Sequence, residues 1–393
     1  MGSGTAEPDP TSEALPTAYP TRRIYEPGTL VDYTAQTGDT LPALAEHFNT
    51  SVEEILASNP IIPESATTLP EGLPMQIPIY YHPLWGNPFQ SIPDALFVNG
   101  PSSLGFDTVA FVNGKPGWLR THREYAGGEW RTGGELIDYV ATNFSVSPRI
   151  LLAVIEYQSK GLSNAKYEGP SFQYPLDYVD PYHKGLYRQL TWAANQLNNG
   201  YYGWRTGRLE SFELKNGSAV FIDPWQNAAS AALQYYFASV LSPSAYDLSV
   251  GDAGFIAVYR DLFGDPWRDA EPHIPGSLEQ PEMRLPFLPG SAWAYTGGPH
   301  TGWGLGEPFA AIDFAPPGMT GGCTPTNLWS VAVADGVIAR KDTAIAVLDL
   351  DMDGDERTGW VVFYLHLATD TIPPVGTRLR SGEQIGVPSC EGG

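Results

Sequence analysis

The hydrophobic pattern of this 393-residue chain changes period along its length, and one core does not accommodate all of its regimes. Near the N-terminus Val31 to Ala35 alternates like a short strand, and Thr37-Gly38-Asp39-Thr40 supplies a turn and helix N-cap ahead of Leu41, Leu44, Ala45 and Phe48. Ser51 opens a second helix with Glu54 in capping-box position, and Met75 to Ile79 offers a closing strand with Pro78 at its edge. From Gly134 helical spacing takes over, in the stretches 136–141, 148–156, 187–197, 225–237 and 255–263. From Pro286 the chain turns β-rich and glycine-rich. The expected architecture is multidomain α+β: a disordered linker 1–30, a small βααβ module 31–80, a β-rich connection 81–130, a helical domain 131–282 and an antiparallel β-sheet domain 283–393. Within the connection, Thr108 to Val112 reads as a short β-like run.

Charge removes several classes of partner. With 44 acidic against 22 basic residues the net charge is −22, and no basic stripe is present that would follow a phosphate backbone, so nucleic acid is excluded. No apolar run approaches the roughly 20 residues of a spanning helix. The start Met1-Gly2-Ser3-Gly4 lacks the charged and apolar regions of a signal peptide. Two cysteines, Cys323 and Cys390, lie in the last quarter of the chain. They read as one disulfide of an exported protein whose signal lay upstream, with a pair of buried free thiols as the alternative. The expected location is extracellular or cell-envelope, and the expected state a monomer.

Tyr33 to Leu41, then Leu44-Ala45, Phe48, Ser51 to Leu56, Asn59-Pro60 and Leu73 to Pro78 resemble the LysM module over its whole length. That resemblance implies a peptidoglycan partner. The groove between the first turn and the loop after the second helix would grip N-acetylglucosamine-containing glycan, with Gly38, Asp39, Thr40, Asn59, Ile61 and Ile62 as the glycan-binding residues. Cap and turn duty alone is the competing account of these positions, and for Ser51 it suffices.

The apolar stretch Ile150 to Glu156, continuing through Gln158 and Ser159, resembles the acid-bearing helix of lysozyme-like lytic transglycosylases. A general acid there needs an apolar wall to raise its pKa. The resemblance implies a catalytic role for Glu156, but the residue directly before Ser159 is Gln158, and two positions rotate a helical side chain by about 200°. A silent domain that cradles glycan is the reading preferred from the residues, with muramidase or transglycosylase action through Glu156 left as an alternative.

The last quarter holds the metal-site pattern. His300 in Gly-Gly-Pro-His and Asp313 in Ala-Ile-Asp-Phe, then Val331 to Ile338, then Tyr364-Leu-His366-Leu367, then Val375 to Gly386 resemble, in order, the beta-lytic branch of the lysostaphin-like (LytM-type) zinc metallopeptidases. The resemblance implies Zn2+ held by His300 and Asp313, and His366 as the catalytic histidine beside it. The family completes its site with a His-x-His pair, and none occurs among the seven histidines. The expectation is therefore a C-terminally truncated chain that lacks the third protein ligand, a fragment inactive by itself.

A second acidic run, Asp349, Asp351 and Asp353 followed by Gly354, matches the first half of a calcium loop, yet its twelfth position is Trp360 where a bidentate Glu is needed. Ca2+ there competes with a plain charged hairpin tip. The function implied is a peptidoglycan hydrolase, a zinc metalloendopeptidase cleaving wall peptide stems or cross-links and anchored to glycan by LysM. A non-catalytic wall-binding or regulatory protein is the competing class.

Overall fold

The computed structural model describes residues 24–80, 85–167, 171–268, 270–318 and 323–392. Most of the expected linker, 1–23, lies outside them. The architecture mixes helices with small antiparallel sheets.

In the N-terminal unit β1 (Thr29–Thr34) pairs antiparallel with β2 (Pro74–Ile79), from Thr29 opposite Ile79 to Thr34 opposite Pro74. The strand thus starts two residues inside the expected linker. Val31 and Tyr33 point inward and Asp32 and Thr34 outward, the two-residue period of a half-buried strand. The helices between are α1 (Leu41–His47), capped by the Thr40 hydroxyl, and α2 (Val52–Ser58), capped by the Ser51 hydroxyl. The Glu54 carboxylate accepts from Thr50 Oγ1 and Tyr80 Oη, both at 2.8 Å, which ties α2 to the end of β2. Leu44, Phe48, Ile55, Ile77 and Ile79 form the buried core.

The central unit begins earlier than expected. Ile92, Phe97, Trp118 and Leu119 belong to the same buried cluster as the helices, so the segment read as a connection is part of that core. Thr108–Asn113, read as β-like, is helix α3. Asp107 caps it by accepting from the Ala110 amide at 2.8 Å. A five-residue apolar run does not separate strand from helix by period alone, and the local cap decided the outcome. A hairpin of β3 (Arg123–Ala126) and β4 (Glu129–Thr132) leads into α4 (Gly133–Phe144), whose start is a full capping box between Thr132 and Glu135. Next come α5 (Pro148–Ser159) and α6 (Leu186–Arg205). The small β5 (Ser211–Glu213) and β6 (Ala219–Phe221) hairpin precedes α7 (Ala228–Val240), α8 (Pro243–Ser249) and α9 (Phe255–Phe263). Helices α6 and α7 approach closely at Gly200, where a Cβ would lie 2.7 Å from the Ala232 Cα.

The C-terminal unit opens with a hairpin of β7 (Ala294–His300) and β8 (Ala311–Ala315). Strand β9 (Ser330–Val331) is followed by β10 (Gly336–Asp342), β11 (Ile345–Asp349), β12 (Val361–Tyr364), β13 (Arg378–Leu379) and β14 (Gln384–Gly386). Four of these form an antiparallel sheet in the order β12-β11-β10-β13, while β14 pairs with β9. Ala332, Ile338, Ala346, Leu348, Tyr364 and Ile385 fill its core.

Side chains of α6 join the three units. His47 stacks on Trp204 at 3.5 Å, and burial pushes its pKa down to about 4, so the ring packs as neutral imidazole. The chain between β7 and β8 lies on the same helix. Asn195 Oδ1 accepts from the Leu305 amide at 2.9 Å, Asn199 Oδ1 accepts from the Glu307 amide at 2.8 Å, and Arg208 forms a two-pronged pair with Glu307.

Candidate functional site

The expected metal ligands meet. His300 ends β7 and Asp313 lies in β8, and two register irregularities, between Tyr295 and Gly297 and between Gly297 and His300, re-aim the end of β7. Gly297, opposite Asp313, leaves room for the carboxylate, since a Cβ there would lie 2.7 Å from Asp313 Oδ2. As a result His300 Nε2 and Asp313 Oδ2 stand 2.9 Å apart, with side chains 43% and 53% exposed. His300 Nδ1 contacts the Thr301 carbonyl at 2.7 Å. A carbonyl only accepts, so Nδ1 carries a proton, and the ring nitrogen facing Asp313 has either a second proton or a lone pair turned toward a carboxylate. The Thr301 contact first, and Asp313 second, raise the His300 pKa. An open pair of this kind suits a cation placed between its two donors, and the backbone bond to the far ring nitrogen orients the imidazole as metal sites require.

His366 sits two residues past the end of β12 in the left-handed region, φ 64°. Its Nδ1 donates to the Glu391 carbonyl at 2.9 Å, and its own carbonyl accepts from the Ser389 amide at 2.8 Å. It does not complete a group of three with His300 and Asp313. Among the described residues the one cluster of three metal-capable side chains within 4.8 Å of one another is Asp349, Asp351 and Asp353. That cluster is stitched by its own turn. Asp349 accepts from the Gly354 amide at 2.8 Å, Asp351 from the Asp353 amide at 3.3 Å, and Asp353 from the Thr358 hydroxyl at 2.8 Å. Burial pushes the Asp349 carboxyl up, and the Trp360 carbonyl is spent on the Leu350 amide.

The expected bridge is not formed: Cys323 and Cys390 are exposed free thiols. They are nonetheless neighbours, because a hydrogen bond from the Cys323 thiol to Cys390 is the first cause of a raised Cys323 pKa. Air oxidation should therefore join them, giving a cross-linked peptide pair in non-reduced digests and stabilising the chain by up to about 4 kcal/mol for a loop of this size. Complete alkylation of both thiols after oxidation, in denatured and unreduced protein, would show that they do not meet.

Glu156 does not present an acid to a cleft. It is buried, and its carboxylate accepts from the amides of Leu162 at 2.8 Å and Ser163 at 3.1 Å as well as from the Ser163 hydroxyl. These three bonds come from the loop that follows α5, so Glu156 serves as a loop anchor, and the catalytic alternative gains no support from its surroundings. Glu156→Ala should accordingly cost ~1–3 kcal/mol in urea unfolding by stranding the buried Leu162 amide. Unchanged stability together with lost cleavage of wall glycan would restore the acid role.

The turn expected to bind glycan meets the α2–β2 connection beyond the expected loop, where the Leu69 amide donates to the Asp39 carbonyl at 2.8 Å. The individual residues of turn and loop fare differently. Asn59 is buried and bonds to Ile55 O, Gln76 O and the Gln76 amide, which is a structural duty. Ile62 is core, while Ile61 is 80% exposed. Thr40 serves as the α1 cap. Asp39 Oδ2 accepts from Tyr33 Oη at 2.7 Å and the Gln36 amide at 2.8 Å, and burial, outweighing both bonds, raises its pKa to about 7. The Gly38 carbonyl accepts from Arg205 Nη2 at 2.9 Å. Arg205, Asn195, Asn199 and Arg208, all on or just after α6, carry no motif that would have marked them in the sequence.

A family model described as "LysM domain" matches residues 33–78, and one described as "LasA, N-terminal domain" matches residues 90–277. The chain carries a LysM domain and a LasA N-terminal domain. The second match starts within the segment expected to be a connection and takes in the helices expected to be lysozyme-like. Both matches end ahead of the His300–Asp313 hairpin. No curated protein and no solved structure matched the chain. The LysM domain is a peptidoglycan-binding domain and the LasA N-terminal family suggests a cell-wall hydrolase. Among the described residues no helix is long and apolar enough to cross a membrane.

Proposed function

We propose that this protein is a peptidoglycan hydrolase of the cell envelope, a zinc metalloendopeptidase acting on wall peptides and held to the glycan by its LysM domain. The observation that carries the reading is the convergence of His300 Nε2 and Asp313 Oδ2 to 2.9 Å across the β7–β8 hairpin. His300, oriented through Nδ1, and Asp313 would hold the zinc, which when bound supplies Lewis-acid polarisation of a peptide carbonyl and an acidified water. His366 is fixed by Glu391 in the tautomer that leaves Nε2 free to accept a proton. The 43% and 53% exposure of the pair suits an extended wall peptide entering from solvent.

One observation favours the second reading, a non-catalytic wall-binding protein: among the described residues no third metal-capable side chain joins His300 and Asp313. The two are separated by incubating the zinc-loaded chain with purified peptidoglycan and following both sedimentation and release of free amino groups. Co-sedimentation with amine release supports the hydrolase. Co-sedimentation without release, together with a zinc affinity that His300→Ala leaves unchanged, supports the binding protein, and failure to sediment at moderate salt removes the LysM-anchored reading of either kind.

A further inference from the structure

The LysM turn and loop do not face solvent freely. Thr37, beside the expected glycan-binding turn, and Thr68, later in the segment that joins α2 to β2, are both buried, and the chain that buries them is the stretch 273–278, some two hundred residues later. Thr37 Oγ1 exchanges contacts with the Ile274 carbonyl and amide, each at 3.3 Å. In the α2–β2 segment Thr68 Oγ1 donates to the Pro275 carbonyl at 2.7 Å and accepts from the Leu278 amide at 2.8 Å, the Thr68 carbonyl accepts from the Ser277 amide at 2.8 Å, and Thr67 Oγ1 donates to the Leu278 carbonyl at 2.6 Å. The fit is close, since a Cβ on Gly276 would lie 2.7 to 2.9 Å from Pro70.

Arg205 completes the cover from the side of α6. Its guanidinium donates to the Thr37 carbonyl at 3.0 Å and the Gly38 carbonyl at 2.9 Å, and it packs so near the turn that a Cβ on Gly38 would sit 1.7 Å from Nη2. The hydrogen-bonding groups of the turn are thus already spent within the chain. What spends them on the strap side is a row of amide N–H and C=O groups, the same functional group that N-acetylated sugars present at regular intervals. The strap also carries a cost. Both ring nitrogens of His273 are buried without a partner, which is unfavourable by itself and is relieved if the segment lifts into water. Ser277 is held at φ 54°, a conformation that a residue with a side chain adopts reluctantly.

We propose that residues 273–278, backed by Arg205, are an intramolecular stand-in for glycan: they occupy the LysM groove, hold down its affinity, and are displaced by an N-acetylglucosamine oligomer. This rests on the reading of the LysM domain as a glycan binder. It makes occupation of the groove by peptidoglycan and by the strap mutually exclusive, so that binding the wall releases residues 273–278 from the LysM domain.

The test uses the whole chain and N-acetylchitohexaose. Two strap variants leave the LysM walls untouched: Gly276→Trp, which has no room against Pro70, and Ser277→Pro, which removes the amide bonded to Thr68 and has a ring that is incompatible with positive φ. Both should bind the hexasaccharide about tenfold more tightly than the parent in calorimetric titration. In the parent, saturating sugar should raise hydrogen exchange at residues 273–278, a readout that needs no variant and so stands if either variant fails to fold. Equal affinity of parent and folded variants, with no change in exchange at the strap, overturns the occlusion and leaves the LysM reading standing. Absence of sugar binding in parent and folded strap variants alike overturns the glycan reading itself, and the stand-in with it.

Discussion

His300→Ala will lower the zinc affinity of the chain by roughly a hundredfold, and Asp313→Ala by a similar factor, because each substitution halves the donor set of a site at which, among the described residues, two side chains converge. Competition titration against a chromophoric zinc chelator measures it directly. The pair is half exposed, so its contribution to folding is under about 1 kcal/mol, and a loss of metal will not be confused with a loss of structure. His366→Ala should change affinity far less than either, since its ring lies outside the pair and is held by Glu391. Parent-like affinity in both His300→Ala and Asp313→Ala would place the metal elsewhere.

The second large effect is on assembly. Arg205→Ala should destabilise the chain by roughly 3 kcal/mol, because the guanidinium serves the Thr37 and Gly38 carbonyls at once and is the cation facing buried Asp94, 4.0 Å away. The loss should grow with pH. Burial raises the Asp94 pKa in the folded protein, and Arg205 is the group that chiefly opposes it. Without Arg205 the folded-state value climbs further above the unfolded one. The folded chain then holds a proton that the unfolded chain releases, and stability present at low pH is lost as pH rises from the ordinary carboxylate range through the raised value. Urea unfolding at pH 4.5 and 7.5 reads both the size and the slope. A loss below about 1 kcal/mol, or one that shrinks toward pH 7.5, would show that Arg205 is not the clamp. Arg205→Lys should not rescue, because a single ammonium does not span both carbonyls and Asp94 in the fork geometry.

What could be read in the sequence followed the range of the interactions. The LysM unit was legible because its signals are local: Thr40 and Ser51 cap the helices they immediately precede, and β1 alternates by itself. The His300–Asp313 pair was legible for a related reason, since a hairpin returns the chain on itself within thirteen positions. Thr108 to Val112 is ambiguous in sequence because its apolar residues fit either period, and the Asp107 cap is the local signal that separates helix from strand. Glu156 is a case of another kind. Resemblance to an acid-bearing helix offers it as an acid while helical phase turns it away, and only the path of the following loop decides whether a buried carboxylate faces a cleft or its own chain's amides. The cover over the LysM turn lay beyond reach altogether. Ile274 contacts Thr37 across 237 positions, and a bond from a hydroxyl to a backbone carbonyl leaves no mark on residue type at the carbonyl end.

The clasp of Asn195, Asn199 and Arg208 on the chain between β7 and β8 bears on how this molecule can be taken apart. His300 and Asp313 flank a connector held by a helix of a different unit, so their 2.9 Å separation, begun by the register of the hairpin, depends also on the assembled chain. The C-terminal sheet is therefore not an interchangeable cassette. Grafted onto another targeting module, it would carry its strands along and leave behind the helix that steadies the span between its two donors.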